Sequence, residues 1–258
     1  MDTPDTAVGD AAIAAWLSAL ETRHLANLRP VEVARALRAL SSAYVERRDR
    51  LGHGAALDGA GKRAAFALFY GPLHFLLIRA IVGAIPAAEG PLDLIVDLGC
   101  GTGVAGAAWA IACAVRPRVL GLERHPWAAD EARWTFRTLG VAADVRCADI
   151  ARMRVPPRAS AIIAAFTVNE LPDETRAQLL RELLAFGARG TRVLVVEPIA
   201  KSIAPWWGRW KDAFVHAGAR EDQWRFPAHL PGIVGRLDHA AGLDHRELTA
   251  RSLYLGIQ

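Results

Sequence analysis

The sequence predicts an α/β fold with a doubly wound, mostly parallel sheet, preceded by helices. From Pro91 onward, short apolar runs alternate with helical patterns, which is the order that a parallel sheet covered by helices requires. Before Pro91, apolar residues recur at helical spacing. With 258 residues, of which 52% are hydrophobic, the chain is large enough for one α/β domain with an extension.

Residues 1–88 are predicted to form a helical cap domain, and residues 89–258 the α/β domain. Two helices at the start are indicated by apolar positions that step by three or four residues. These positions are Ile13, Trp16, Leu17 and Leu20 in the first helix, and Val33, Leu37, Leu40 and Tyr44 in the second. The second helix is expected to end in a basic run that contains Arg47, Arg48 and Arg50.

The apolar stretch of residues 64–85 is long enough to span a membrane, but its composition argues against that function. Gly71 and Pro72 interrupt it in the middle, and His74 and Arg79 add polar groups. We therefore expect two buried helices, separated at Gly71-Pro72, and no membrane partner.

Charge and cysteine usage exclude several classes of protein. The net charge is only +4, and arginine supplies most of the 31 basic residues, which indicates genome composition rather than a nucleic-acid surface. Cys100, Cys113 and Cys147 form no C-x-x-C pair, and the N-terminus begins with acidic residues. These features predict a cytoplasmic protein without a disulfide framework. No metal site is predicted, because the histidines lack the spacing typical of metal ligands.

A strand, a glycine-rich turn and a helix organise the α/β domain. Residues 94–96 are typical of a buried parallel strand, which ends at Asp97. Glycine occupies alternate positions from Gly99 to Gly103, and the small residues 104–115 predict a helix. This arrangement brings backbone N–H groups and a helix N-terminus to a nucleotide-like ligand.

The stretch Asp97-Leu98-Gly99-Cys100-Gly101-Thr102-Gly103 fits the pattern D-x-G-x-G-x-G, and here the chain resembles the class I S-adenosylmethionine (SAM)-dependent methyltransferases. Residues 101–106 also fit the dinucleotide pattern G-x-G-x-x-G, but the carboxylate of Asp97 would repel a pyrophosphate. The resemblance implies a Rossmann-like sheet of seven strands, the last of them antiparallel at residues 248–255. It assigns Asp97 to the methionine ammonium group. It assigns the turn of Gly99, Cys100, Gly101 and Gly103 to the methionine and ribose.

Two further acids follow the next two predicted strands. Residues 118–123 form the second strand, and its last residue, Glu123, is placed to accept hydrogen bonds from ribose hydroxyls. Residues 143–147 form the third strand, and Asp149 with Ile150 match the family's pattern for the adenine edge. The carboxyl ends of parallel strands line one crevice, so we expect the three acids to surround one cofactor.

Tryptophans mark two more candidate sites. The resemblance places Trp127 against the adenine face, and packing of its helix against the sheet is an equal alternative. Trp206, Trp207 and Trp210 follow the fifth predicted strand, residues 191–196. They are predicted to wall an acceptor pocket, with burial against the cap or a dimer partner as the alternative.

The fourth predicted strand, residues 161–166, is followed by the sequence Asn-Glu-Leu-Pro. In the resembled family this position lies beside the transferring methyl group. We therefore name Asn169 and Glu170, with Tyr70 of the helical segment, as candidate catalytic residues. Asn169 is also a candidate ligand of the cofactor's amino group. The alternatives are that Glu170 merely begins the next helix and that Tyr70 is a core aromatic.

The predicted function is SN2 transfer of a methyl group from SAM to a small-molecule acceptor, by a monomer or homodimer. Because the sulfonium methyl is already activated, alignment and exclusion of water matter more than an acid or base. The alternatives are closure of the cofactor's side chain to azetidine-2-carboxylate with release of methylthioadenosine, methylation of ribosomal RNA, and SAM binding without catalysis. The Asn-Glu-Leu-Pro sequence resembles that of methyltransferase-like proteins associated with the small ribosomal subunit, but their C-terminal cysteine cluster has no counterpart after Cys147. RNA is therefore the less favoured partner.

Overall fold

The computed structural model describes residues 4–46, 57–152, 155–200 and 204–257. These residues contain a seven-stranded sheet in the order β3-β2-β1-β4-β5-β7-β6. The first five strands run parallel, and β7 is antiparallel to β5. The strands are β1 (Leu94–Leu98), β2 (Arg118–Glu123), β3 (Ala143–Cys147), β4 (Ala161–Ala165), β5 (Arg192–Glu197), β6 (Arg220–Pro227) and β7 (Glu247–Leu255). The predicted α/β, Rossmann-like sheet is confirmed.

Helices precede the sheet and connect its strands. They are α1 (Pro4–His24), α2 (Pro30–Glu46), α3 (Ala60–Ala65), α4 (Gly71–Ala84), α5 (Val104–Ala112), α6 (Pro126–Thr138), α7 (Asp173–Gly187), α8 (Trp207–His216) and α9 (Gly232–Ala240). The predicted N-terminal helices are present, and six of the eight apolar positions that indicated them are buried. Leu17 is half-buried, while the side chain of Tyr44 and the basic run at 47–50 lie outside the described residues.

The helix break predicted at Gly71-Pro72 is wrong. Ala60–Ala84 forms one helix of 25 residues, in which a π-helical segment, Phe66–Tyr70, joins α3 to α4. Pro72 has no N–H, and in an α-helix its ring clashes with the carbonyl four residues earlier. The wider π turn just before Pro72 relieves that clash. Among the described residues this helix is long and apolar enough to cross a membrane by length and composition, yet 67% of its apolar window is buried.

The chain divides into two compact units. One comprises the chain through His74 together with Pro227–Glu247, and the other comprises Phe75–Phe226 and Leu248–Gln258. In the first unit, α9 packs against α1 and α2 and buries Ile233, Val234 and Leu237. The sequence did not predict this return of the chain to the N-terminal helices, and the domain boundary at residue 88 stays a prediction.

The central parallel strands β1, β4 and β5 are buried on both faces. Ile95 and Val96 of β1, Ile162 and Ile163 of β4 and residues 193–196 of β5 have no exposed surface. Each such side chain stabilises the fold by about 1.5–3 kcal/mol relative to an exposed one. β6 has no apolar run, because its residues alternate between exposed and half-buried positions, and the sequence reasoning missed it.

The strand register sets the position of the site. Asp97 of β1 lies opposite Gly121 of β2, and Glu123 at the end of β2 lies opposite Cys147 at the end of β3. The ends of three neighbouring parallel strands therefore meet at one edge of the sheet, as a doubly wound fold requires.

Candidate active site

The turn after β1 requires glycine at its alternate positions. Gly99, Gly101 and Gly103 have φ angles of 64°, 53° and 81°, in the left-handed region that glycine alone adopts without strain. A Cβ on Gly99 would lie 2.4 Å from Cγ2 of Thr167, which leaves no room for a side chain. Cys100 between them is buried, its N–H donates to the carbonyl of Leu122 at 3.0 Å, and burial raises the pKa of its thiol.

Asp97 is a buried carboxyl at the end of β1. Its side chain is 1% exposed, and Oδ2 accepts a hydrogen bond of 2.8 Å from the N–H of Gly106 in α5. Burial raises the pKa of this carboxyl to about 7, and the bond from Gly106 opposes the shift. Among the described residues no cationic side chain forms an ion pair with Asp97. A cationic ligand group would therefore stabilise its charged form.

Glu123 ties the end of β2 to the glycine turn. Its Oε2 accepts from the N–H of Gly101 at 2.9 Å, and its Oε1 accepts from the N–H of His125 at 2.8 Å. Each carboxylate oxygen has a second lone pair, and the side chain is only half-buried. The carboxylate is thus held in place and can still accept hydrogen bonds from ligand hydroxyls.

The candidate adenine-side residues lie beyond β2 and β3. Asp149 is exposed, and its Oδ1 accepts from the N–H of Ala151 at 3.0 Å. Ile150 is half-buried against the apolar core under the sheet. Trp127 is half-buried in the first turn of α6, with its ring 6.3 Å from that of His125. Their contacts with adenine stay predictions.

The chain reverses sharply after β4. Phe166 is the one non-glycine residue among those described with a positive φ, 58°, and such backbone strain is concentrated at functional sites. Thr167 follows, and its hydroxyl donates to the carbonyl of Gly99 at 3.2 Å. The 3-10 turn Val168–Glu170 is thereby joined to the glycine turn of β1.

Asn169 of this turn is held by Glu197, the last residue of β5. The backbone N–H of Asn169 donates to Oε1 of Glu197 at 3.2 Å, and its Nδ2 donates to Oε2. Glu197 has no exposed surface. Sequence reasoning missed this residue, although an acid at the end of a buried strand is the signal that identified Asp97 and Glu123.

Glu170 and Tyr70 have less constrained surroundings. Glu170 is exposed and pairs with Arg124 at 3.6 Å, a contact worth at most about 1 kcal/mol at a protein surface. Tyr70 belongs to the other compact unit, where its ring lies 5.5 Å from that of Phe69, and burial raises its pKa. Both catalytic roles stay predictions.

The tryptophan cluster divides into two environments. Trp206 and Trp210, with ring centroids 4.9 Å apart, line an open pocket of about 420 Å³ between α7 and α8. The other lining residues are Asp173, Arg176, Ala177, Leu180, Pro205 and Arg209. Trp206 is half-buried, whereas Trp210 and Trp207 are both buried. The Nε1 of Trp207 donates to Glu221 at 2.9 Å, and its ring lies 4.4 Å from the guanidinium of Arg251.

Arg176 connects this pocket to the turn that carries Asn169. Its guanidinium lies over the ring of Trp206 at 5.4 Å, and it donates to the carbonyl of Val168 at 3.2 Å. A second N–H donates to the carbonyl of Leu171 at 2.5 Å. The aromatic pocket and the β4 turn therefore border each other.

The residues at this edge fit SAM by their chemistry. SAM presents an ammonium group, ribose hydroxyls and an adenine amino group, all hydrogen-bond donors. The edge presents three carboxylates and the Oδ1 atom of Asn169, which is buried and has no hydrogen-bond partner among the described residues. No group of three or more His, Cys, Asp or Glu side chains in the described part of the chain is arranged to hold a metal ion.

Comparison with protein families and solved structures gives three findings. Residues 95–190 match the family model described as a methyltransferase domain. The plantazolicin methyltransferase BpumL, solved in complex with S-adenosylhomocysteine (SAH), is 13% identical, with a TM-score of 0.50 over 88% of this chain and 98% of its own. The mitomycin 7-O-methyltransferase MmcR is 16% identical, with a TM-score of 0.55 over 93% of this chain and 72% of its own. No curated protein sequence matches the chain.

Proposed function

We propose that this chain, which carries a class I methyltransferase domain, binds SAM at the glycine turn and transfers its methyl group to a small-molecule acceptor. One observation carries the cofactor assignment. A carboxylate stands at or just after the end of each of three neighbouring strands, and two of them hold the backbone around the glycine turn. This set of acceptors matches the donors along the whole length of SAM.

The residues of this chain supply position rather than proton transfer. Bound SAM would supply an electrophilic methyl group. Glu123 and Asp149 would hold the ribose and adenine, and Asp97 would balance the charge of the methionine ammonium. Rigid attachment of the cofactor directs the methyl group toward an acceptor, and such alignment accounts for a large part of catalysis in displacement reactions. Asn169 and Glu170 lie on the turn that follows the next strand and are the candidate contacts with the acceptor.

The pocket of Trp206 and Trp210 supports a small-molecule acceptor. Its volume of about 420 Å³ lies in the range of small-molecule sites, and its indole walls favour planar or apolar groups. Two structurally similar proteins, named as plantazolicin and mitomycin methyltransferases, act on small molecules by their names. No observation of this kind specifically supports cyclisation of SAM or methylation of RNA.

Calorimetry with SAH, followed by an acceptor screen, tests the proposal. The purified protein should bind SAH. With SAM and a panel of aromatic and heterocyclic small molecules, mass spectrometry should detect SAH together with a product heavier by one methylene. Release of methylthioadenosine and azetidine-2-carboxylate from SAM alone would contradict methyl transfer and establish the cyclisation reaction. Absence of SAH binding would contradict the cofactor assignment.

A further inference from the structure

We infer that Glu197 is a positioning residue: it fixes the side-chain amide of Asn169 so that Oδ1 faces the bound cofactor and accepts a hydrogen bond from its methionine ammonium group. This inference rests on the proposed function. It adds a residue from β5 to the three acids of β1, β2 and β3.

The contact between Glu197 and Asn169 has, first, a defined polarity. An ionised carboxylate only accepts hydrogen bonds, and both oxygens of Glu197 accept from Asn169, one from its backbone N–H and one from Nδ2. The amide of Asn169 therefore has to present its NH₂ group to Glu197 and its oxygen to the opposite side. A neutral partner at position 197 would allow either orientation.

The second feature is the charge of Glu197. Its Cα lies opposite that of Arg251 in the β5–β7 register, and Arg251 is buried. Burial lowers the pKa of Arg251, and the negative charges of Glu197 and Glu221 oppose that shift. The neighbouring guanidinium favours the ionised form of Glu197. The charged acceptor in turn polarises the amide of Asn169 and makes its oxygen a stronger acceptor.

The third feature is the unused acceptor itself. Oδ1 of Asn169 is buried without a partner among the described residues, and such an atom loses its water without compensation unless a ligand supplies a donor. The turn that carries it bonds to Gly99 through Thr167, next to the segment assigned to the methionine of SAM. The ammonium group of SAM has three N–H bonds, more than Asp97 alone can accept, and it is the donor that we assign to this oxygen.

Two probes separate this contact from the rest of the site. SAH carries the ammonium group, whereas methylthioadenosine lacks the whole aminobutyrate chain and keeps the adenine and ribose. In Glu197→Gln the introduced amide faces Asn169 with an NH₂ group, so that Asn169 rotates and presents its own NH₂ group to the ammonium. We expect SAH affinity to fall by about tenfold or more and methylthioadenosine affinity by less than about threefold.

A double variant distinguishes positioning from a structural role. In Asn169→Asp/Glu197→Gln, the amide oxygen introduced at position 197 can accept from the backbone N–H of residue 169, while the NH₂ group of the same amide donates to the carboxylate introduced at position 169. The second oxygen of that carboxylate then faces the ammonium. SAH affinity should return to within about threefold of the original protein, because the polarity of the contact is restored. Asn169→Leu, which keeps the size of the side chain, should show the selective loss of SAH without rescue.

The matched control is Glu221→Gln. It removes the other carboxylate beside Arg251 without touching Asn169, and it should leave the ratio of SAH to methylthioadenosine affinity unchanged. The inference would be overturned if Glu197→Gln and Asn169→Leu each lost as much affinity for methylthioadenosine as for SAH, or if neither variant lost affinity for SAH. Either result would leave the proposed function standing. Failure of the double variant to recover SAH while it binds methylthioadenosine would also overturn the inference. If the original protein bound neither probe, the proposed function would fail, and this inference with it.

Discussion

The ends of β1 and β5 each carry a buried acid, and the two acids are held in opposite ways. Asp97 has one backbone donor, from Gly106, and its pKa is raised to about 7 by burial. Glu197 is bonded twice to Asn169 and lies opposite buried Arg251 in the sheet. Asp97 would therefore gain from a cationic ligand, whereas Glu197 already has a cationic neighbour and, in our proposal, acts on the ligand through Asn169.

This difference separates two tasks at one edge of the sheet. We propose that the β1–β3 side presents carboxylates directly to the cofactor, and its geometry depends on backbone turns. The β4–β5 side presents an amide and an aromatic pocket, and its geometry depends on side chains that support one another. Substitutions on the two sides should consequently affect different properties of the protein.

The largest effect is the loss of stability that we expect from Trp207→Ala. Trp207→Ala removes a buried indole and its bond to Glu221, and it should lower the free energy of unfolding by about 3–5 kcal/mol. Trp206→Ala removes a half-buried ring from the pocket, so its stability loss should be clearly smaller while acceptor turnover falls. Chemical denaturation and turnover with an acceptor found in the screen check this pair. Equal stability losses would show that Trp206 is a core residue as well.

Gly99→Ala should have the next largest effect. The new Cβ meets Thr167 at 2.4 Å in a left-handed conformation, which should lower the free energy of unfolding by about 2–3 kcal/mol and abolish SAH binding. Gly190→Ala is the control, since φ there is also positive, 88°, but no atom lies within 4 Å of the new Cβ. It should lose only about 1 kcal/mol and bind SAH normally. A normal SAH affinity in Gly99→Ala would show that the glycine turn is not part of the cofactor site.

The smallest effect is the pH dependence that Asp97 produces. Because the folded pKa of about 7 exceeds the ordinary value of 3.8, the folded state binds the proton more tightly, and stability from this group decreases as pH rises from about 4 to 7. Binding of an ammonium group requires the charged carboxylate, so SAH affinity should rise with pH, by up to about tenfold per unit below pH 7. Calorimetry between pH 6 and 8 measures this rise.

Asp97→Asn isolates the contribution of this one carboxyl to the pH dependence. Its amide oxygen can still accept from the N–H of Gly106, and the variant should weaken SAH binding and remove most of the pH dependence. If the variant kept the pH profile of the original protein, Asp97 would not be the titrating group.

The placement of the three acids and the glycine turn at one edge of the sheet was predictable because its signals are local. Asp97 is the next-to-last residue of its strand, Glu123 ends its strand, and Asp149 follows β3 closely. The glycine turn has positive φ angles that only its residue type permits. The β5 side was not predictable in the same way. Glu197 also ends a buried strand, but its role depends on Asn169, which lies 28 residues away in the sequence. No local pattern encodes that pairing.

The predictions for the helices were also limited to features that have a local sequence pattern. The apolar positions of α1 and α2 were visible in the sequence, whereas the continuity of the helix through Pro72 required a π-helical segment that has no simple sequence pattern. The different environments of Trp206 and Trp207 also depend on where α8 begins. Trp207, Trp210 and Phe214 fall on its buried face, and Trp206 precedes the helix.

The measurement that tests the cofactor site most directly is calorimetric titration of Asp97→Ala and the original protein with SAH at pH 8. The original protein should bind SAH, and the variant should bind it at least about tenfold more weakly, because a charged hydrogen-bond acceptor for the ammonium group is lost. Thermal denaturation of both proteins would show that the variant is folded. An undiminished affinity in folded Asp97→Ala would contradict the assignment of this edge of the sheet to SAM.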